Sequence, residues 1–133
     1  MHLVWATWDR LPLITPGMEQ PLYNAMAAKC EEMHCQPLAI GGMPDHVHVL
    51  VSIPTTISIA EVVKGIKGST SHLMTHVVAP DVPFKWQGLY GAFTVSKSGV
   101  ERVMVYIRAQ KAHHAEQTLI GDLECCAGEA TSA

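Results

Sequence analysis

The sequence lacks long hydrophobic runs, since no apolar stretch reaches the roughly 18 residues that a membrane-spanning helix requires. Its start shows no basic segment followed by a long hydrophobic stretch, which is the pattern of a secretory leader. It has four cysteines, and none of them forms a C-x-x-C pair, so the usual spacing of a zinc or redox motif is missing. These absences predict a cytosolic protein with reduced thiols and no membrane association.

Charged residues are also scarce, at 16% of the chain against 48% apolar residues. This balance excludes a disordered protein and a coiled coil. The 133 residues are enough for one domain and too few for two hydrophobic cores. Folding at this size buries about two-thirds of the unfolded surface, so the domain needs neither disulfides nor structural zinc.

Positive charge is in short supply overall, because nine Lys and Arg residues face twelve Asp and Glu residues and give a net charge of −3. Taken alone, that balance argues against a general nucleic-acid binder, which is usually basic. The charge is unevenly distributed, however. Residues 112–133 contain four acidic residues and no Lys or Arg, whereas residues 57–111 contain seven basic and three acidic residues. The net charge therefore conceals a basic half of the chain.

Hydrophobic patterning and turn signals predict the element order β-α-β-β-α-β-α. Thr15-Pro16 and the capping box from Ser58 to Glu61 mark the starts of the first two helices. The predicted strands cover residues 3–8, 38–43, 46–53 and 92–96, and the predicted helices cover residues 17–35, 59–77 and 100–115. Two βαβ-like halves joined through a hairpin predict an α+β, ferredoxin-like (split βαβ) fold. In this fold an antiparallel sheet has helices packed on one face, and a C-terminal helix follows.

A His-x-His pair is the most informative feature of residues 43–50, which read MPDHVHVL. On a strand, His46 and His48 project from the same face, where two ring nitrogens can share one divalent cation. The opposite face is supplied with valines, so the hydrophobic core does not need the histidine side. The pair alone leaves two interpretations open. The histidines are either metal ligands or ordinary side chains whose ring nitrogens form hydrogen bonds within the protein, as is usual on a half-buried strand.

The last predicted helix carries a tyrosine and a glutamine one turn apart, Tyr106 and Gln110. By itself, a helical tyrosine is usually a residue at the edge of the core, and a lone glutamine is usually solvated. Beside a metal held by two imidazoles, however, such a helix can supply a nucleophile and a further ligand together.

Five motifs in order resemble one family, the small single-tyrosine transposases of the HUH superfamily, which include the repeat-associated tyrosine transposases of bacteria. HUH denotes His-hydrophobic-His, here His46-Val47-His48. The motifs lie at residues 2–7 (HLVWAT), 43–50 (MPDHVHVL), 63–69 (VKGIKGS), 86–93 (WQGLYGAF) and 106–114 (YIRAQKAHH). The resemblance predicts a transposase domain over residues 1–116, and residues 117–133 are predicted to be a disordered acidic tail of small residues.

The resemblance implies a metal-dependent DNA transposase whose C-terminal helix is catalytic. His46, His48 and Gln110 would bind a catalytic Mg²⁺ or Mn²⁺, and Tyr106 would attack a phosphodiester in single-stranded DNA that carries a hairpin. The product would be a 5′-phosphotyrosine with a free 3′-hydroxyl, and a second 3′-hydroxyl can reverse the step and rejoin strands without ATP. Because the usual pKa of tyrosine is about 10, its position beside the cation matters.

Further residues gain expected roles once the metal site is assumed. Lys64 and Lys67 are expected to contact the phosphate backbone of DNA. Arg10 is expected to touch a hairpin stem, and Trp86 is expected to stack on unpaired bases. Asp45 either orients a metal-bound histidine or caps its own turn. The family implies a homodimer with active sites shared between the subunits, working in the bacterial cytosol or nucleoid.

Two positions depart from the family pattern, Leu89 for a common glycine and Ala109 for a common asparagine, and neither removes a group that the mechanism needs. A histidine-triad nucleotide hydrolase is disfavoured because Leu50 stands at the third histidine position, and a 2H phosphoesterase would need a second histidine motif. Two alternatives stay open. One is a domesticated, non-mobile relative that binds or processes repeat hairpin DNA as a regulatory or housekeeping protein, and the other is a metal-binding domain that never meets DNA.

Overall fold

A four-stranded antiparallel sheet is the centre of the fold in the computed structural model, which describes residues 1–78, 80 and 83–110. The strands are β1 (His2–Ala6), β2 (Gln36–Met43), β3 (His46–Ser52) and β4 (Gly91–Phe93). Within these residues the α-helices are α1 (Pro16–Glu32), α2 (Ile59–Leu73) and α3 (Val100–Arg108). Two 3₁₀ segments, Trp8–Arg10 and Lys97–Gly99, and a π-helical turn, Met74–Val78, lie between them. None of the helices in the described part of the chain has the length and apolar content needed to cross a membrane.

The strand order in the sheet is β2-β3-β1-β4, and every neighbouring pair is antiparallel. Because β1 lies between β3 and β4, α1 and α2 each connect two strands that are separated by one other strand. This is the split βαβ pattern of the ferredoxin-like fold. The predicted fold class is therefore confirmed.

The register between β1 and β3 sorts their side chains onto two faces. Trp5 pairs with Val47 on one face, which we call the valine face, and this face forms the larger core with α1 and α2. Val4 pairs with His48 on the other face, which we call the histidine face. There α3 packs on β2 and β3 through a smaller cluster made by Ala39, Leu50, Val103, Tyr106 and Ile107. Since α3 covers the histidine face, the side chains of that face are buried.

Local sequence signals account for the helix starts. The Glu61 backbone N–H donates to Ser58 Oγ at 3.1 Å, as the capping box predicts. Pro16 occupies the first position of α1, where its missing N–H group leaves no helical hydrogen bond unmade.

Several element boundaries differ from the sequence prediction by a few residues, for example the end of α1 at Glu32. The predicted second helix gives way to a π-helical turn after Leu73, and β4 covers only Gly91–Phe93, because it pairs with just three residues of β1. Helix α3 is interrupted after Arg108, since Ala109 has the non-helical angles φ −100° and ψ 21°, and its predicted continuation to residue 115 lies outside the described residues. Residues 111–116 and the predicted tail at 117–133 lie outside the described residues, so the domain boundary stays a prediction.

Gly41 allows α3 to lie close to the sheet. It pairs with His48 across β2 and β3, and a Cβ atom at this position would lie 2.5 Å from the carbonyl oxygen of Ile107. A side chain there would therefore push α3 outward. The absence of a side chain at Gly41 helps to set the distance between α3 and the histidine strand.

Candidate active site

His46 is the centre of the candidate site because both of its ring nitrogens have partners. Its Nδ1 lies 2.7 Å from Asp45 Oδ1, and its Nε2 lies 3.2 Å from Gln110 Oε1. The hydrogen bond to His46 lowers the pKa of Asp45; partial burial opposes this, and the nearby charges of His46 and Arg10 reinforce it. An ionised carboxylate only accepts hydrogen bonds, so His46 Nδ1–H is the donor. Asp45 contacts a histidine ring, and a hydrogen bond to its own backbone also lowers its pKa, so both alternatives predicted for Asp45 stay open.

The donor set around His46 fits a hard divalent cation. With its hydrogen on Nδ1, a neutral His46 directs the Nε2 lone pair toward Gln110 Oε1, which is also an acceptor. A ring protonated on both nitrogens would donate its Nε2–H to this oxygen at 3.2 Å, whereas in the neutral Nδ1–H form both atoms are acceptors, which a shared cation would satisfy. Among the described residues, no group of three or more His, Cys, Asp or Glu side chains is placed to hold a metal. A metal site here therefore depends on the amide oxygen of Gln110.

His48 and Tyr106 complete the arrangement. The ring of His48 lies edge-on to Tyr106, with centroids 6.0 Å apart, and edge-on to His46, with centroids 5.2 Å apart. Tyr106 belongs to α3, and Gln110 follows one turn later, just beyond the end of that helix. Although His46 and Gln110 are 64 positions apart in the chain, the packing of α3 on the sheet brings the four predicted site residues together.

The site is enclosed, since none of the four residues is more than 3% exposed. A cavity of about 310 Å³ opens beside His46 and is lined by Arg10, Pro12, Met43, Pro44, Asp45 and His46. A second cavity of about 260 Å³ lies between α1, β2 and the end of α3, with Gln110 in its wall. His46 thus lines the first cavity and Gln110 lines the second.

Arg10 lies at the mouth of the first cavity. Its Nε is 3.5 Å from Asp45 Oδ2, and its side chain is 42% exposed. It ends the 3₁₀ segment Trp8–Arg10, which follows β1. The structure thus places Arg10 beside the candidate site, and its contact with a hairpin stem stays a prediction.

A basic groove of about 450 Å³ lies between α2 and residues 85–90, with Lys64, Lys67 and Lys85 among its lining residues. Lys64 is exposed on its wall. Lys67 Nζ donates to the carbonyl oxygens of Gln87 and Leu89 at 2.7 and 2.9 Å, so it holds the loop that forms the other wall. A DNA contact by Lys64 or Lys67 stays a prediction, and for Lys67 it would compete with these two hydrogen bonds.

The predicted stacking of Trp86 on unpaired bases needs correction. Trp86 is 6% exposed, its Nε1–H donates to Thr70 Oγ1 at 3.0 Å, and its ring meets Trp5 and Phe84 edge to face. The indole is therefore part of the core on the valine face. The motif around Trp86 does not distinguish a core tryptophan from a binding one, because that depends on how the loop folds back on α2.

Sequence reasoning gave no individual role to Trp8, Lys85 or His2. Trp8 is 47% exposed, and Lys85 Nζ lies 3.9 Å from the centroid of its ring, beside the basic groove. The only sequence signal for Lys85 was its place in the basic half. His2 is buried and lies against His48, and its only signal was its place in the first motif.

A ferredoxin-like sheet that joins a His-hydrophobic-His pair to a helical tyrosine and a glutamine defines the class of single-tyrosine transposases. Residues 1–110 match the family described as "Transposase IS200 like", and the chain belongs to this family. It is similar to the ISDra2 transposase TnpA of Deinococcus radiodurans, with 26% identity over 115 residues that cover 82% of this chain and 81% of the relative.

Two solved structures share the fold. The first is a Deinococcus radiodurans R1 protein assigned as a transposase, with a TM-score of 0.64 and 26% identity, covering 82% of this chain and 88% of that one. The second is a REP-associated tyrosine transposase bound to a REP hairpin, with a TM-score of 0.61 and 16% identity, covering 85% of this chain and 66% of that one. The second likeness concerns the fold alone.

Proposed function

We propose that the protein is a metal-dependent transposase that cuts and rejoins single-stranded DNA through a covalent 5′-phosphotyrosine intermediate and recognises DNA that carries a hairpin. The observation that carries this proposal is the 3.2 Å approach of His46 Nε2 to Gln110 Oε1 in the same enclosed site as Tyr106. Membership of the IS200-like transposase family supports it. The hairpin is proposed by analogy with the REP-associated relative, which was solved with one.

His46, His48 and Gln110 would hold the Mg²⁺ or Mn²⁺ ion. When bound, the cation would polarise the scissile phosphate and stabilise the charge that develops on the departing 3′-oxygen. Asp45 accepts the Nδ1 hydrogen of His46 and so keeps the Nε2 lone pair directed at Gln110. Burial of these side chains excludes water, which strengthens electrostatic interactions within the site.

Tyr106 would form the covalent bond to DNA. Its phenolic oxygen attacks phosphorus and loses its proton, the bond from phosphorus to the 3′-oxygen breaks, and that strand departs with a free 3′-hydroxyl. The phosphate stays on Tyr106, so a later 3′-hydroxyl can reverse the step and join strands. Because Tyr106 is only 2% exposed, α3 must shift from its place on the sheet before a phosphate reaches the phenolic oxygen.

A homodimer with shared active sites is part of the proposal. The strands β2 and β4 form the two edges of the sheet, where a second copy can pair. Before α3, the 3₁₀ segment Lys97–Gly99 is closed by a hydrogen bond from the Gly99 backbone N–H to Ser96 Oγ at 3.1 Å. A rotation about this short segment would carry Tyr106 toward a partner.

The basic groove is the proposed binding surface for the hairpin backbone. Lys64 and Lys85 would face phosphates, and the exposed ring of Trp8 offers a surface for an unpaired base. The segment Trp8–Arg10 touches the groove residue Lys85 at one end and the site residue Asp45 at the other. We expect the unpaired strand to follow this segment from the groove to the cavity beside His46, and the protein to act in the bacterial cytosol or nucleoid, where such DNA lies.

A covalent-adduct assay tests the proposed function. The full chain is incubated with labelled single-stranded DNA carrying a hairpin and with Mg²⁺ or Mn²⁺, and products are boiled in detergent and separated by size. We expect a labelled protein band that Tyr106→Phe abolishes, a loss of about 10³-fold or more. Chelation of the cation should remove the band and leave much of the DNA binding, measured by gel shift.

Two outcomes would contradict the proposal. An adduct that persists in Tyr106→Phe would exclude this tyrosine as the nucleophile. A folded protein that binds hairpin DNA and forms no adduct with either metal would instead favour the domesticated relative, which binds repeat hairpins without cutting.

A further inference from the structure

His2 is a buried polar residue of the histidine face that the proposed reaction leaves without a role. It begins β1, is fully buried, and pairs directly with Leu50, two positions along β3 from His48. Diagonal neighbours on one face of an antiparallel pair are within reach of a long side chain. The register between β1 and β3 therefore places His2 against His48.

The contact between the two imidazoles is a directed hydrogen bond. His2 Nε2 lies 2.9 Å from His48 Nδ1, the ring planes differ by 21°, and the ring centroids are 5.1 Å apart. This centroid separation is close to the hydrogen-bond length plus the two ring radii, so the nitrogens face each other in the plane of the rings. One of the two nitrogens therefore carries the shared hydrogen.

The direction of this hydrogen bond decides whether His48 can bind a metal. Because His2 contacts Nδ1, the nitrogen of His48 that can face a cation is Nε2. A ligating Nε2 carries no hydrogen, so a neutral His48 has its hydrogen on Nδ1 and donates it to His2 Nε2. The opposite direction would require the hydrogen of a neutral His48 to be on Nε2, where it blocks coordination.

We propose that His2 is a positioning residue that accepts the Nδ1 hydrogen of His48 and fixes the tautomer whose Nε2 binds the catalytic cation. The inference rests on the proposed function, because it assigns His48 as a ligand. His2 would serve His48 as Asp45 serves His46, so each imidazole ligand has its own acceptor. Such outer partners of histidine ligands contribute about 10-fold to 100-fold to metal affinity.

Metal titration of the full chain tests the role of His2 without any DNA. Binding of Mn²⁺ is followed by electron paramagnetic resonance of the unbound ion in wild type, His2→Leu, His2→Gln and His46→Ala. We expect His2→Leu to raise the Kd for Mn²⁺ about 10-fold to 100-fold. His2→Gln should recover most of the loss, because its side-chain carbonyl can accept the same hydrogen.

Val49→Ala is the matched control, since Val49 is the neighbour of His48 in β3 and faces the opposite core. It should lower the unfolding temperature and leave the Kd for Mn²⁺ unchanged. An NMR measurement on the wild type tests the position of the hydrogen on His48 without any variant. In ¹⁵N-histidine NMR spectra of the Mg²⁺-bound wild type, His48 should carry its hydrogen on Nδ1.

The outcomes separate this inference from the proposed function. If folded His2→Leu binds Mn²⁺ as tightly as wild type, or if His48 carries its hydrogen on Nε2, the role of His2 is wrong and the metal site stands. If wild type has no Mn²⁺ site that His46→Ala removes, the metal part of the proposed function fails, and the role of His2 fails with it. If His2→Leu does not fold, the NMR spectrum of the wild type decides.

Discussion

The two faces of the sheet bury different kinds of side chain. The valine face is covered by two long helices and forms an apolar core, whereas the histidine face buries His2, His46 and His48, with the nine-residue helix α3 and the following Gln110 packed against it. Buried polar groups cost stability unless they are partnered, and contacts within hydrogen-bond distance link His2 to His48 and His46 to Gln110. The valine face therefore holds the larger hydrophobic core, and the histidine face holds the buried polar groups of the candidate site.

The strongest test of this division compares two isoleucines that are almost fully buried, Ile66 on the valine face and Ile107 in α3. Changing either to alanine should lower the free energy of unfolding by about 2–5 kcal/mol, measured by chemical denaturation. Only Ile107→Ala should also change the rate at which the folded protein forms the covalent DNA adduct, because Ile107 holds α3 on the sheet and α3 must shift before Tyr106 reacts. An equal effect of Ile66→Ala on the adduct would show that the faces are not separate.

The next largest effect is expected from a substitution that pushes α3 away from the sheet. Gly41→Ala would place a Cβ 2.5 Å from the Ile107 carbonyl oxygen, which should cost about 1–3 kcal/mol and displace Tyr106 and Gln110. The matched control is Gly17→Ala in α1, where a Cβ meets nothing within 4 Å. The control should be neutral or stabilising by up to about 1 kcal/mol. If Gly41→Ala kept full adduct formation, the distance between α3 and β2 would not matter for the site.

The basic groove separates DNA binding from chemistry. Lys64→Ala and Lys85→Ala should each weaken binding of hairpin DNA and reduce the slope of log K against log salt by about 0.7–0.9. The yield of adduct per bound DNA should stay unchanged, because the groove lies away from Tyr106. Lys29→Ala serves as a control, since Lys29 pairs with Glu32 on α1. If Lys29→Ala reduced the salt slope as much as Lys64→Ala, the basic groove would not be a specific binding surface for DNA.

The last prediction concerns the exclusion of water from the core on the valine face, and its effect is confined to high pH. Burial, with added effects from Cys35 and Glu31, raises the pKa of Cys30 to about 12. A raised pKa means that the neutral thiol contributes its stability fully below the unfolded pKa of about 8.5, and that this contribution is lost as the pH rises. The stability difference between wild type and Cys30→Ala, measured by denaturation, should be constant up to about pH 8 and change progressively above it. A difference that is flat to pH 11 would mean that water reaches the thiol.

Much of the fold and part of the site follow from local patterns. Strand alternation puts His46 and His48 on one side of β3, the capping box starts α2, and one helical turn separates Tyr106 from Gln110. These features depend on residues a few positions apart, so the sequence carries them directly. The same holds for the element order, which predicts the ferredoxin-like sheet.

Other assignments depended on how distant segments meet. The local motif around Trp86 suits a binding loop as well as a core, and only its packing against Trp5 and Thr70 places it in the core. From the sequence alone, Lys67 is predicted to be a surface charge. In the folded protein, residues 85–90 lie against α2, and Lys67 donates to two of their carbonyl groups.

What the sequence by itself determined is the set of chemical groups and their local spacing. What only the tertiary structure decided is which groups touch: His2 with His48, Asp45 with Arg10, and His46 with Gln110. The register of β1 against β3 and the seat of α3 over Gly41 set these contacts. Both arise from packing between segments far apart in the chain, which alternation and helical periodicity do not encode.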